Sequence, residues 1–315
     1  MSALHNWIPY KLEKQNGVWQ LRWMDLGDWH MAEPFFDETI GICLSKMSER
    51  SIYRSMSDTG FLLESADKTD AITPTAFIFH VSRCGSTLLS QALSTDQGNI
   101  VYAEAPLLDE ILRAPLQDKN LTEAEAEKWF KAALKTMGQW RKNQYQQLFI
   151  KLDSWHIHFY PMLRKWFPDT PFYFLTRKPD AIIVSHYKKR GMHAIPGFIE
   201  ADLLKVKLRE EHYSDFNFFT AEVLAAYYRE LHNLVQESNP LNHFYDYSWG
   251  MENLLSHFFA SIGKENANEN EMRKRLSFHS KYPDQPFNEE TKIYLPQYPE
   301  VNSAYRHLIN ALNVK

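Results

Sequence analysis

The chain has 315 residues, 44% of them hydrophobic, and a formal net charge of −4. That is enough apolar material for a sizeable core, and the weak negative balance offers no general attraction to nucleic acid or an anionic membrane. Two cysteines, Cys43 and Cys84, cannot staple a disulfide scaffold, and no apolar run reaches the roughly 18 residues that span a bilayer. Aromatic residues are scattered rather than interleaved with Lys and Arg as a single-strand-binding groove requires. No zinc-type Cys/His spacing occurs, and His156-x-His158 lacks a third ligand, so those histidines read as packing or surface residues and no metal is expected. The N-terminus shows neither a basic leader nor an apolar signal core, which predicts a cytoplasmic protein.

Residues 1–70 carry weak signals. Val18 to Met24 alternates as a strand does, and Pro34 to Asp37 followed by Thr39 to Ser45 suggests a turn entering a helix or strand. Ser57 to Gly60 reads as a turn and Ser65 to Asp70 as a polar linker. We read 1–70 as an accessory region beside a main domain, 71–315, and find no chemistry-bearing motif in it.

The stretch Phe77 to Leu93 is different. Phe77 to Val81 is a buried strand by composition, Ser82-Arg83-Cys84-Gly85-Ser86-Thr87 is a short polar loop, and Leu88, Leu89, Ala92 and Leu93 recur at helical spacing. Strand, glycine-containing loop and helix make a phosphate cradle: loop N–H groups and the helix N-terminus converge on an anion. Gly85 permits close backbone approach, the Ser86 and Thr87 hydroxyls can donate, and Arg83 supplies a fixed cation. It is not the nucleoside-triphosphate loop, because Gly85 is followed by Ser rather than Lys and no upstream glycine is present.

Strands and helices then alternate. Gly98 to Pro106 reads as a short strand ending in a carboxylate, Glu104, and a proline, Pro106. Thr122 and Glu125 form a capping box for a helix over 122–144, with Trp129, Phe130, Ala133, Leu134, Met137 and Trp140 on one face. Gln147 to Asp153 is a buried strand carrying Lys151. A helix over 157–166 follows, and Phe172 to Thr176 is a strand leading into Arg177. This alternation predicts an α/β fold, a parallel sheet flanked by helices, in which ligands lie beyond the carboxyl ends of strands. Arg83, Glu104, Lys151 and Arg177 all fall at or just past such ends.

The loop 82–87 resembles that of the sulfotransferases that use 3′-phosphoadenosine 5′-phosphosulfate (PAPS), whose pattern is Pro-[Lys/Arg]-Ser-Gly-[Thr/Ser]-Thr. Arg83, Gly85, Ser86 and Thr87 match it; Ser82 stands in place of Pro and Cys84 in place of Ser. A second motif of that family has Arg at a strand end, Pro two residues on and Ser eight residues on, and Arg177, Pro179 and Ser185 fit it. The resemblance covers 71 to about 281 and is nearer to Golgi, tyrosylprotein-type and bacterial members than to cytosolic ones. It implies a P-loop sulfotransferase-like fold that transfers a sulfuryl group from PAPS to an acceptor hydroxyl or amine, releasing 3′-phosphoadenosine 5′-phosphate (PAP), without metal.

On that resemblance, Arg83, Cys84, Gly85, Ser86 and Thr87 hold the 5′ side of the donor, and Arg177 and Ser185 hold the 3′-phosphate. Tyr245, in Phe244 to Tyr247, lies near the adenine, and Ser280 and Lys281 make a late phosphate contact. Sulfuryl transfer needs positive charge at the bridging oxygen, for which Arg83 and Lys151 are the candidates, although Lys151 also fits a snorkelling lysine at a strand edge. The base is Glu104 or Asp153; Glu104 is favoured because partial burial beside Pro106 suits a general base. Towards the C-terminus, Val223 to Val235 reads as a core helix, Ser248 as the cap of a helix over Leu254 to Ile262, and 282–300 as an extended loop. The expected acceptor is a small molecule, glycan or lipid. A kinase with a degenerate phosphate loop, or a nucleotide-binding pseudoenzyme, is the alternative.

Overall fold

The structure is a computed structural model and describes residues 4–49, 54–142, 144–265, 268–278 and 296–314. It opens with β1 (Trp7–Gln15), β2 (Val18–Asp25), α1 (Phe36–Ser48), β3 (Ser55–Asp58) and α2 (Thr59–Asp67). The alternating part follows: β4 (Ala76–His80), α3 (Ser86–Leu93), β5 (Asn99–Ala103), α4 (Pro106–Gln117), α5 (Glu123–Met137), β6 (Gln147–Lys151), α6 (Tyr160–Trp166), β7 (Phe172–Thr176) and α7 (Pro179–Lys188). It ends with α8 (Glu210–Ser214), α9 (Phe216–Glu237), β8 (Asn242–Asp246), α10 (Leu254–Ser261), α11 (Glu269–Leu276) and α12 (Pro299–Asn313). A five-stranded parallel sheet has the order β5-β6-β4-β7-β8, and β1, β2 and β3 form a separate antiparallel sheet. The α/β class read from the sequence is the one observed. Among the described residues, no helix is long and apolar enough to cross a membrane.

Two compact units are present: Met1–Phe77, Ser90–Leu152 and Asn268–Arg275 form the first, and Ile78–Leu89, Asp153–Ala267 and Leu276–Lys315 the second. In the first, β1 and β2 are joined by Asn16-Gly17 with φ of 50° and 83°, the two-residue turn whose twist matches a hairpin. Helix α5 begins on the capping box of Thr122 and Glu125 and stops at Gly138, where a Cβ would lie 2.6 Å from the Ile72 carbonyl oxygen and 2.9 Å from Leu148. The helix therefore ends seven residues before the expected boundary (144 − 137), and Trp140 lies beyond it, 54% exposed rather than on the apolar face.

In the second unit every residue of β7 is buried, and Phe79 stacks on Phe174 at 4.7 Å, which in turn stacks on Phe244 at 5.0 Å. That line of rings ties β4, β7 and β8 together, each ring contributing about 1.5–3 kcal/mol by burial. Ser65 belongs to α2 and is buried, not part of a linker, because Asp58 caps that helix by accepting from the Phe61 N–H. Ser248 does not cap α10: it lies in a 3-10 turn, Tyr247–Trp249, and a second such turn, Met251–Asn253, precedes the helix. Of the expected loop 282–300, the end from Pro299 is helix α12, and 282–295 lie outside the described residues.

Glu110 of α4 accepts a hydrogen bond from the Leu12 N–H of β1 at 2.5 Å, and burial pushes its carboxyl up to about 8. The ordinary value is 4.5, so between about 4.5 and 8 the folded state holds a proton that the unfolded state has released. Stability from this group is complete below about 4.5 and is lost as pH rises through about 8. Glu110→Gln keeps the acceptor for Leu12 and removes the titration. Melting curves from pH 5 to 9 should show the wild type losing on the order of 1–3 kcal/mol relative to the variant; parallel curves would refute the assignment.

Candidate functional site

The loop between β4 and α3 has an unusual backbone. Ser82 and Arg83 are consecutive non-glycine residues with φ of 71° and 49°, and Gly85 follows at 90°. Left-handed residues in such a turn gather successive N–H groups on one side, an arrangement that suits an anion. Gly85 has a second reason to be glycine: a Cβ there would lie 3.2 Å from the Met251 side chain and 3.6 Å from the Tyr247 ring. Cys84 and Ser86 are buried and Thr87 is half-buried.

The loop is held from several directions. The Ser82 N–H donates to His80 Nδ1 at 3.0 Å, Ser82 Oγ lies 3.2 Å from His186 Nε2, and Arg83 Nη2 donates to the Lys189 carbonyl at 2.6 Å. Arg177 Nη1 donates to the Arg83 carbonyl at 3.1 Å. The two motifs, 94 residues apart in sequence, thus meet within the second unit.

The placement of Arg177 follows from strand register. Thr176 pairs with Asp246 in the parallel ladder of β7 and β8, so Arg177 and Tyr247 leave neighbouring strands side by side. The guanidinium lies 4.1 Å from the Tyr247 ring centroid, and the Tyr228 hydroxyl donates to the Arg177 carbonyl at 2.6 Å. Asp246 is fully buried and accepts from the Ser248 N–H at 2.9 Å and the Tyr305 hydroxyl at 3.0 Å, which fixes the turn that carries Tyr247. Ser185 is half-buried in α7.

In the first unit, Glu104 follows β5 with φ of 57°, and its N–H donates to the Lys151 carbonyl at 2.8 Å. Ala103 pairs with Lys151 in the ladder of β5 and β6, which brings the two side chains together. Lys151 Nζ is ion-paired with Glu104; the lysine side chain is completely buried and that of Glu104 is 22% exposed. Lys151 is therefore not a snorkelling edge lysine, and Glu104 sits against its ammonium. Two residues of the N-terminal region lie at this pair. Phe35 lies with its ring 5.5 Å from Lys151 Nζ, and Asp37 has its carboxyl raised by burial and by the negative charge of Glu104.

Asp153 is buried in the second unit and opens a 3-10 turn, its N–H donating to His156 Nδ1 at 3.2 Å. Tyr245 is a core residue, its ring stacked on Tyr173 at 6.5 Å and its hydroxyl donating to the Gly250 carbonyl. Ser280 and Lys281 lie outside the described residues. Sequence reasoning missed Tyr247, His186 and Phe35. Only the alternation leading into Phe244 to Tyr247 pointed near the first, and the other two depend on pairings that a single sequence does not display.

Ser82 stands where the related pattern has proline, and its φ of 71° excludes proline, whose ring fixes φ near −65°. Ser82→Pro also deletes the N–H that donates to His80. It should cost about 3 kcal/mol or more by denaturant unfolding, whereas Ser82→Gly suits the backbone and should cost much less. A stable Ser82→Pro protein would show that the loop adopts another conformation.

No family model matches the chain, and no curated protein matches it. Among solved structures it is similar to the sulfotransferase domain of an olefin synthase from Synechococcus PCC 7002, with 17% identity over 76% of this chain and 96% of that one and a TM-score of 0.47. It is also similar to the sulfotransferase domain from the curacin biosynthetic pathway, at 14% identity over 76% and 99% with a TM-score of 0.48. Mouse sulfotransferase SULT7A1 complexed with PAP shares 13% identity over 70% of each chain, with a TM-score of 0.35. Each of these three solved structures is a sulfotransferase or a sulfotransferase domain.

Proposed function

We propose that the chain transfers a sulfuryl group from PAPS to an acceptor hydroxyl or amine. One observation carries this reading: Arg177 is bonded to the backbone of Arg83, so a left-handed anion loop and an arginine at the next strand end form one constellation. The residues suit a nucleotide with phosphates at two positions. The N–H groups of the loop and the start of α3, with the Ser86 and Thr87 hydroxyls and Arg83, would hold the 5′ side. Arg177 and Ser185 would hold the 3′-phosphate, the planar guanidinium of Arg177 making a forked contact while the Tyr247 ring packs beside it. PAPS, when bound, supplies the sulfuryl group and departs as PAP.

The chain's own work is positioning and proton transfer. Glu104 takes the acceptor proton as the acceptor forms its bond to sulfur and the bond from sulfur to the 5′-phosphate oxygen breaks. Lys151 holds the Glu104 carboxylate in place, and Arg83 stabilises negative charge on the departing oxygen. Asp153 is the rival base. The acceptor is a small molecule, glycan or lipid.

PAP should stabilise the protein without Mg²⁺, by about 2.7 kcal/mol at a hundredfold excess over Kd, and ADP far less. Equal shifts with ADP, or a requirement for Mg²⁺, would favour a kinase. Arg177→Ala should weaken PAP by about 1.5–3 kcal/mol for each charged bond lost and hardly affect the analogue lacking the 3′-phosphate; equal losses would make Arg177 structural.

Glu104→Gln should leave PAP affinity intact and lower turnover on a screened acceptor by about 10²–10⁴. If Asp153→Asn loses turnover and Glu104→Gln does not, the base is Asp153. If both retain turnover, neither carboxylate is the base.

A further inference from the structure

His186 is a buried histidine one residue past Ser185, and no part of the reading above uses it. Its ring makes two bonds: Nδ1 accepts from the Gly191 N–H at 3.2 Å, and Nε2 lies 3.2 Å from Ser82 Oγ. Because Nδ1 accepts a backbone N–H it carries no proton, so the neutral ring must carry its proton on Nε2 and donate it to Ser82. The neutral state is secure. Burial, followed by His193, Arg83 and Arg190, lowers the ring's proton affinity to a value of about 2. His193 packs on it edge-to-face at 4.9 Å, and Gly191 leaves room for both rings, since a Cβ there would lie 3.1 Å from His193 and 3.3 Å from His186.

Ser82 is the first of two consecutive left-handed residues that shape the cradle. Such backbone costs about 1–3 kcal/mol per non-glycine residue and persists only where its surroundings enforce it. Side-chain bonds between this loop and the segment from Arg177 to Lys189 include His186 to Ser82, Arg177 to the Arg83 carbonyl, and Arg83 to the Lys189 carbonyl. Of these, the histidine bond alone involves no charged side chain, so no anion competes strongly for it.

We propose that His186 is a positioning residue that locks Ser82 in its left-handed conformation and thereby sets the shape of the donor cradle. Since the ring donates to Ser82, the serine hydroxyl's own proton is left to point elsewhere, and the cradle anion is the ligand class it suits. A proline in the related pattern offers no hydroxyl there. This inference rests on the loop being a donor site, and the experiment separates the two.

The first measurement is amide hydrogen exchange over 82–89 without any ligand, for the wild type, His186→Ala and His186→Gln. A Gln amide can accept from Gly191 and donate to Ser82. Exchange should quicken about tenfold or more in His186→Ala, return close to wild type in His186→Gln, and leave the strand 172–176 unchanged. Unchanged loop exchange, or equal acceleration in that strand, overturns the positioning role.

The second measurement is PAP affinity by calorimetry in a cycle of His186→Ala, Ser82→Ala and the double variant. Each single change should weaken PAP about tenfold, and the double variant should be little worse than either, since both break one bond. Additive losses, or unaltered affinity in His186→Ala, overturn the proposal. If the wild type does not bind PAP, the cosubstrate reading fails and the exchange result alone decides the lock.

Discussion

Everything in the second unit that bears on function depends on holding two non-glycine residues, Ser82 and Arg83, in the left-handed region. Left alone, that backbone would relax toward an extended or right-handed form. It is held because Arg177 reaches the Arg83 carbonyl and His186 reaches Ser82, while Arg83 itself reaches the Lys189 carbonyl. Loop and helix α7 therefore behave as one object. The restraint extends into the core: Tyr228 of α9 fixes the backbone of Arg177, and buried Asp246 fixes the turn that bears Tyr247. A change in that polar core would move Arg177 and, through it, the Arg83 carbonyl to which it donates.

The first unit presents a different physical problem. Burying an ammonium costs several kcal/mol unless a counter-charge accompanies it, and Lys151 is buried completely with Glu104 as its partner. The parallel register makes the pairing unavoidable, because Ala103 sits opposite Lys151 and Glu104 comes next. Removing either partner would leave the other charge poorly compensated. Phe35 and Asp37 place the N-terminal region at this pair, so that region is more than a cover.

Much of the alternating part was legible in the sequence. Apolar runs and helical spacing gave β4, α3, β6 and β7 closely, and the two motifs picked out Arg83 and Arg177. What sequence could not show was register. Tyr247 meets Arg177 only because Thr176 pairs with Asp246, and the tyrosine in the core, Tyr245, is indistinguishable from it by composition. Other misses had signals that went unused. Asn16-Gly17 is a strong two-residue hairpin signal and marks β1 as the partner of β2. Gly138 was available as a helix stop, but the reason that it must be glycine, the Ile72 carbonyl against its Cα, is a tertiary contact. Ser248 looked like a cap because it precedes an apolar helix; two tight turns intervene, and its donors serve Asp246 instead.

Backbone conformation gives an argument for function that does not pass through any relative. Among the described residues, seven non-glycine positions have positive φ. Asn6 and Asn16 are of the residue type that tolerates it best, Ser238 ends helix α9, and Lys205 lies in a turn. The remaining three, Ser82, Arg83 and Glu104, each follow closely on the carboxyl end of a strand of the parallel sheet, and neither helix termination nor asparagine chemistry accounts for them. Strained backbone survives where surrounding bonds over-determine it, and it concentrates where side chains must be aimed. In this fold class the carboxyl ends of strands are where ligands lie. The conjunction of strain, charge and strand end at Arg83 and Glu104 thus marks them as functional candidates on physical grounds alone.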